Sequence, residues 1–366
     1  MLIEKIESRF LTAFQKTFAL CNLQAGDTAC VFTESQSRRV NVELALLALA
    51  ALEVKAFELC LPSRPLATTI PVRSTGASDA IAQHPAVIAA LQNVTLIVDC
   101  TVEGLLHAPE LPAILKGNGT SVPRHLMVSN EHPEILERTV PDPALEPCVR
   151  AAMKLLRTSH GMHVTSSAGT NLRVKLQGAV IGGGWGYSQK PGMVSHWPGG
   201  LALGFPAKNA VQGTLVLAPG DVNLSFKTYL RDAIELTIEG DYITQINGNG
   251  LDVDTFREHL SAWEQHEGNR DTYAVSHVGF GLNPKARWDA MNFYDKRDFN
   301  GTELRAFAGN FLYSIGANEV AGRHSQGHFD LPMRGCTIDL RSEHGVTRVI
   351  ESGQIVLDIL KPKALA

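Results

Sequence analysis

The chain has six cysteines but no Cys-x-x-Cys pair. Cys21, Cys30, Cys60, Cys100, Cys148 and Cys336 are scattered, most in apolar runs such as Cys30-Val31-Phe32, and this predicts buried thiols in a reducing compartment. No apolar run approaches the ~20 residues of a membrane span; the longest is Leu44 to Leu52. The start, Met1-Leu2-Ile3-Glu4-Lys5-Ile6-Glu7, alternates charged and apolar groups, unlike a signal peptide, so a cytoplasmic protein is expected. Charge is sparse too, at 19% of residues with a net −4, and the pair Arg38-Arg39 is too small for a nucleic-acid surface. No Gly-x-Gly-x-x-Gly follows an early strand, which leaves a dinucleotide site without its main support. Gly182-Gly183-Gly184-Trp185-Gly186 lacks the Lys-Ser/Thr of a phosphate loop and reads as a tight turn or a wall of the site. A Gly-x-Ser-x-Gly elbow is also missing, which argues against that type of serine hydrolase.

What is present is a chain of 366 residues, 44% hydrophobic, enough for a sizeable core and for two domains of ~150 residues each. The expected fold class is α/β followed by α+β. Residues 1–145 alternate helical and strand-like segments, predicting an N-terminal α/β domain with a largely parallel sheet. Ile3 to Leu20 and Val40 to Leu52 read as helices; Thr28 to Thr33, Val54 to Leu61 and Val94 to Cys100 read as strands. Ligands of such sheets gather beyond the carboxyl ends of the strands, which places Asp99, Thr101 and His107 near a cleft. A helix from Pro143 to Thr158 bridges to residues 146–366, a mainly antiparallel β domain with helices that carries the metal site described next. Ala233 to Ile246 has the alternation of a hairpin around Glu239-Gly240-Asp241, and Asp254 to His266 and Thr302 to Ser314 read as helices.

The residues that carry chemistry converge late in the chain. In Gly327-His328-Phe329-Asp330, a strand would put imidazole and carboxylate on one face. On spacing alone an ordinary strand with a hydrogen-bonded histidine and a surface aspartate is the commoner reading. The apolar residues that follow, Leu331-Pro332-Met333, point instead to an interior strand, where an aspartate without a cation is costly. His277 reads either as a core histidine satisfied by a carbonyl or, flanked by Gly279, Gly281 and Pro284, as the preferred third ligand. His324 competes, but Gly322 and Gly327 oppose the helix it would need. Two histidines and one carboxylate with open positions form the ligand set of non-haem Fe(II) oxygenases. Ser195-His196-Trp197-Pro198-Gly199-Gly200 joins an imidazole to an aromatic plane in a loop that reads equally as a surface loop or as one suited to a flat polar substrate.

Three segments, His277 to Pro284, Arg305 to Phe311 and His328 to Arg334, resemble the 2,5-dihydroxypyridine 5,6-dioxygenases of bacterial nicotinate breakdown, and the resemblance extends over most of the chain. Wider relatives resemble aminopeptidase T-type metallopeptidases, which bind two metals and use a Glu in a Gly-Glu-Val segment. The corresponding Trp197-Pro198-Gly199-Gly200-Leu201-Ala202 has no Glu, which favours one metal and leaves a metal-dependent aminopeptidase-like hydrolase as the alternative, with a catalytically silent binding protein as a third reading. The resemblance implies Fe(II) held by His277, His328 and Asp330, and cleavage of the C5–C6 bond to N-formylmaleamic acid. His196 is then expected to hydrogen-bond the substrate, Arg305 to balance an anionic substrate or product, and His107 to transfer a proton if the N-terminal domain closes over the site. The expected partners are a small aromatic substrate, O2 and further copies of the chain in a homo-oligomer, with neither nucleic acid nor membrane.

Overall fold

The computed structural model describes residues 5–69, 78–296 and 300–363. Its first sheet is parallel throughout, in the order Lys55–Leu61, Thr28–Glu34, Leu96–Asp99, Arg124–Met127, Val194–His196. Thr28–Glu34 is buried at all but its first residue and Leu96–Asp99 at every residue, as expected of strands covered on both faces, so no exposed side remains for alternation. Ser8–Ala19 turns Phe10, Phe14 and Phe18 into the core, and Arg39–Ala51 adds Val42, Leu44, Ala45 and Leu49. The strand Val194–His196, from beyond residue 145, completes this sheet by pairing with Arg124–Met127.

The rest of the chain builds a two-stranded antiparallel ladder, Val222–Asn223 with Thr228–Tyr229, and two larger antiparallel sheets. The larger runs Tyr242–Asn247, Ile234–Glu239, Val211–Leu217, Asn171–Lys175, Gly161–Thr165, Thr337–Ser342, Gly345–Glu351, Gln354–Ile355. Its hairpin Ile234–Glu239 with Tyr242–Asn247 is the expected one, with inward Ile234, Leu236 and Ile238 alternating with outward Glu235 and Glu239. The smaller sheet has the order Phe329–Met333, Phe311–Ile315, Val275–Gly281, Leu201–Phe205, Val180–Gly184. Its first three strands are buried at every residue. The helix Leu145–Thr158 begins close to the expected bridge and buries Leu145, Val149, Ala152 and Leu156 in the main core.

One expected helix is wrong. Thr302 to Ser314 divides into a short helix, Thr302–Ala306, and the strand Phe311–Ile315. Gly309 separates them at φ +89°, where a helix cannot continue, and the Asn310 amide closes the turn by donating to the carbonyls of Leu304 and Arg305. Leu312 to Ile315 is apolar enough for a helix or a central strand, and the ladder with Phe329–Met333 decides. Five cysteines are buried as expected, whereas Cys60 is exposed on the edge strand.

Candidate metal centre

The smaller antiparallel sheet places three of the expected site residues side by side. His277 lies on Val275–Gly281, where the register with Phe311–Ile315 shifts between Val275 and Val278; such an irregularity re-aims a side chain. Asp330 lies on Phe329–Met333 directly opposite Ser314, and His328 precedes that strand by one residue. His328 Nε2 is 3.2 Å and His277 Nε2 3.6 Å from Asp330 Oδ1. The Ser314 hydroxyl also donates to Oδ1, while Arg305 Nε donates to Oδ2 at 2.5 Å. Asp330 therefore holds one oxygen against the guanidinium and turns the other toward the imidazoles.

His107 arrives from the opposite half of the chain. Its ring stacks on His277 with centroids 5.7 Å apart and an interplanar angle of 8°, and its centroid is 4.4 Å from that of His328. One nitrogen of each of His107, His277 and His328 lies within 4.8 Å of those of the other two, a spacing that can hold a metal ion. Among the described residues, no protein group hydrogen-bonds His107 Nε2 or His277 Nδ1, although both atoms are buried. Buried imidazole nitrogens are costly to leave unpaired, and coordination is one way to satisfy them.

The electrostatics fit a divalent cation. Burial, reinforced by the neighbouring imidazoles, holds His107 well below its ordinary value, and burial pushes His277 down to about 3. Burial works to raise Asp330, yet the Arg305 guanidinium and the His328 ring hold it well below the usual carboxylate range. Neutral imidazoles beside an ionised carboxylate are the protonation states that ligation requires.

His196 is the last residue of the strand Val194–His196, and it too is buried. Its Nδ1–H donates to the Pro198 carbonyl at 2.6 Å, and burial lowers its pKa to about 4, so Nε2 carries the lone pair near neutral pH. A Cβ on Gly184 would stand 3.2 Å from that Nε2, so the glycine keeps its approach open. The expected partnership with Trp197 does not form. Trp197 is fully buried, packs edge-on against Phe14 with centroids 5.0 Å apart, and donates from Nε1 to the Thr139 carbonyl. Apolar area as large as an indole is worth more in the core than in a loop.

Arg305, expected to face an anion, is engaged internally: beyond Asp330 it reaches Asn300 Oδ1 and Thr302 Oγ1, both at 3.2 Å. Its helix is anchored to the N-terminal half by buried Glu131, which accepts from the Thr302 amide at 2.7 Å and the Asn300 amide at 3.3 Å. Ser314 and Glu131 carry no local sequence signal; only the strand register and the chain's return expose them. His324 is exposed and outside the cluster, lining a cavity of about 740 Å³ that His107 also lines. A second cavity of about 480 Å³ is lined by His196 and Gly184, and Leu106 and Phe205 face both. The Gly182 to Gly184 run is a strand forming a wall of this second cavity.

A mixed α/β fold that gathers three imidazoles and a carboxylate has the donor set of a metal-dependent enzyme. The comparisons with known proteins narrow it. The family described as NicX, 2,5-dihydroxypyridine 5,6-dioxygenase, matches residues 9–357, and the chain belongs to that family. It is 33% identical over 347 residues to the 2,5-dihydroxypyridine 5,6-dioxygenase of Pseudomonas putida KT2440, covering 94% of this chain and 95% of the relative. The solved structure of the Pseudomonas putida KT2440 enzyme superposes with a TM-score of 0.86 at 31% identity, over 97% of this chain and all of that one. Wild-type AmpT from Thermus thermophilus superposes with a TM-score of 0.63 at 15% identity, over 95% of this chain and 99% of its own, and shares the fold. Among the described residues, no helix is long and apolar enough to cross a membrane.

Proposed function

We propose that the protein is an Fe(II)-dependent ring-cleaving dioxygenase that opens the C5–C6 bond of 2,5-dihydroxypyridine with O2 to give N-formylmaleamic acid, acting in the cytoplasm as a homo-oligomer. The observation that carries this reading is the convergence of His277, His328 and Asp330 Oδ1, in a chain whose family match spans residues 9–357. These three residues would hold the metal. When bound, Fe(II) supplies open coordination positions for the ring and for O2 and neutralises developing negative charge.

The remaining roles belong to the protein's own groups. Arg305 fixes Asp330 through Oδ2 and keeps it ionised, so that Oδ1 stays available. His107, neutral and with Nε2 unpaired, takes the proton of a ring hydroxyl and returns it during cleavage. His196 accepts a hydrogen bond from the ring at Nε2, its orientation fixed by the Pro198 carbonyl. Leu106 and Phe205 exclude bulk water from between the two cavities, which strengthens each polar contact inside.

The test is oxygen uptake coupled to loss of dihydroxypyridine absorbance in protein stripped of metal and reloaded anaerobically with Fe(II). One O2 consumed per ring supports the reading. Activity restored by Zn(II) and not by Fe(II), or amino-acid release from peptides without O2, replaces it with a hydrolase.

A further inference from the structure

Asp99, the last residue of the strand Leu96–Asp99, has no role in the site described above, yet it is a fully buried carboxylate with four donors on it. The Thr101 amide at 3.0 Å and the Thr101 hydroxyl at 2.6 Å donate to Oδ1. The Leu105 amide at 2.7 Å and His125 Nε2 at 3.1 Å reach Oδ2. Asp99's own carbonyl accepts from the amides of Val128 and Ser129, each at 2.8 Å, which fixes its backbone to the adjoining strand end. The segment between Asp99 and Leu105 is thus wound around one side chain, and the next two residues are Leu106 and His107.

The winding is closed from other sides as well. Thr101 Oγ1 accepts from the Gly104 amide at 3.0 Å, and Glu34 Oε1 accepts from the Val102 amide at 2.8 Å. Asn300 Nδ2 donates to the Val102 carbonyl at 3.1 Å, tying the loop to the segment that leads to Arg305. Gly104 adopts φ +79°, and a Cβ there would lie 2.1 Å from Met127 Sδ, so the loop has one tight path. A buried carboxylate with this many donors costs desolvation that an exposed loop would not need, and its consequence is the fixed delivery of the His107 ring onto His277 and His328.

We infer that Asp99 is the positioning residue for His107: its carboxylate, oriented by His125, sets the Leu105 amide and through it the placement of the His107 imidazole over the metal cluster. This deepens the proposed function and rests on the role given there to His107. Asp99 touches neither substrate nor metal, so its effect falls on turnover and not on iron binding. Asparagine keeps the shape but turns an amide NH2 toward either the Thr101 or the Leu105 N–H, where two donors oppose each other.

The experiment compares wild type with Asp99→Asn in three readouts: iron content, steady-state kcat and KM, and hydrogen exchange of the metal-free protein. The expected result is unchanged iron content, kcat lower by roughly 10- to 100-fold, KM within a few-fold of wild type, and faster amide exchange confined to residues 100–108. Wild-type kcat in a folded Asp99→Asn protein overturns the inference. So does exchange that rises evenly across the strands Arg124–Met127 and Thr28–Glu34, because that is the signature of a residue that only stabilises the fold. If Asp99→Asn does not fold, Thr101→Val removes one donor and is read by the same criteria, with a smaller fall in kcat. A wild-type protein that consumes no O2 with dihydroxypyridine defeats the proposed function alone, because the exchange result still reports on the loop.

Discussion

The two sheets that meet at the cluster supply it in different ways. The antiparallel sheet gives His277 and Asp330 from within strands, and Asp330 is held by a ladder partner, Ser314, in direct register. The parallel sheet gives His107 from a loop beyond one strand's carboxyl end and His196 from the last position of another. Groups on a ladder have few ways to move, whereas groups at strand ends are placed by side-chain hydrogen bonds that can be re-made. On the proposed assignment the division separates residues held by a backbone ladder, which would bind the metal, from residues held by side-chain hydrogen bonds, which would face the substrate.

The sharpest break in that comparison is Asp330→Ala. It takes away a ligand and leaves the Arg305 guanidinium, only 8% exposed, without its carboxylate. Loss of one partner of a buried pair costs about 3–5 kcal/mol, so denaturant unfolding of the metal-free variant should show that loss, together with absent iron and absent turnover. An iron-replete, active Asp330→Ala protein would contradict the ligand assignment. His107→Ala should keep its iron and lose roughly 10²- to 10⁴-fold in kcat, the usual range for a proton-transfer group. If iron leaves with His107, the parallel sheet supplies a ligand after all and the contrast between the sheets collapses. His196→Ala is a smaller perturbation, retaining iron and losing roughly tenfold in kcat or KM, as expected for one hydrogen bond to substrate. Unchanged kinetics would reduce His196 to a wall of the cavity.

The same contrast explains what could be read from the sequence. The proposed ligands are legible because strand periodicity puts positions 328 and 330 on one face, and an interior aspartate needs a reason. Asp99, Thr101 and His107 were legible only as a region, through the rule that parallel sheets bind ligands beyond their carboxyl ends. The meeting of Arg305 with Asp330 is not legible in the sequence, because its helix and the strand carrying Asp330 are brought together only by tertiary packing, which gives no periodic signal. Trp197 was misplaced for a related reason: a Trp-Pro-Gly-Gly loop has the composition of a binding loop, and only Phe14 from the first helix shows that the indole is core. The helix expected from Thr302 to Ser314 failed where a short apolar stretch fits either period and the partner strands decide.

The smallest expected effect comes from a histidine that serves neither sheet's chemistry. His259 is fully buried among Phe226, Trp263 and Phe329, with its ring centroid 4.2 Å from Phe329, the residue between His328 and Asp330. Burial alone pushes its pKa down to about 3, as burial also does for His277, but among the described residues no carboxylate adds to that shift. In the unfolded chain His259 takes a proton below its ordinary value of ~6.5, while in the folded chain it stays neutral until the pH nears 3. Its contribution therefore costs stability as the pH falls from ~6.5 toward 3, reaching ~1.4 kcal/mol one unit below 6.5. His259→Leu removes this dependence, so the stability difference between pH 7.5 and pH 5.5 should be smaller than in wild type by about that amount. Equal slopes in the two proteins would mean that His259 is protonated in the fold, and burial would then be no guide to the neutral state assigned to the cluster histidines.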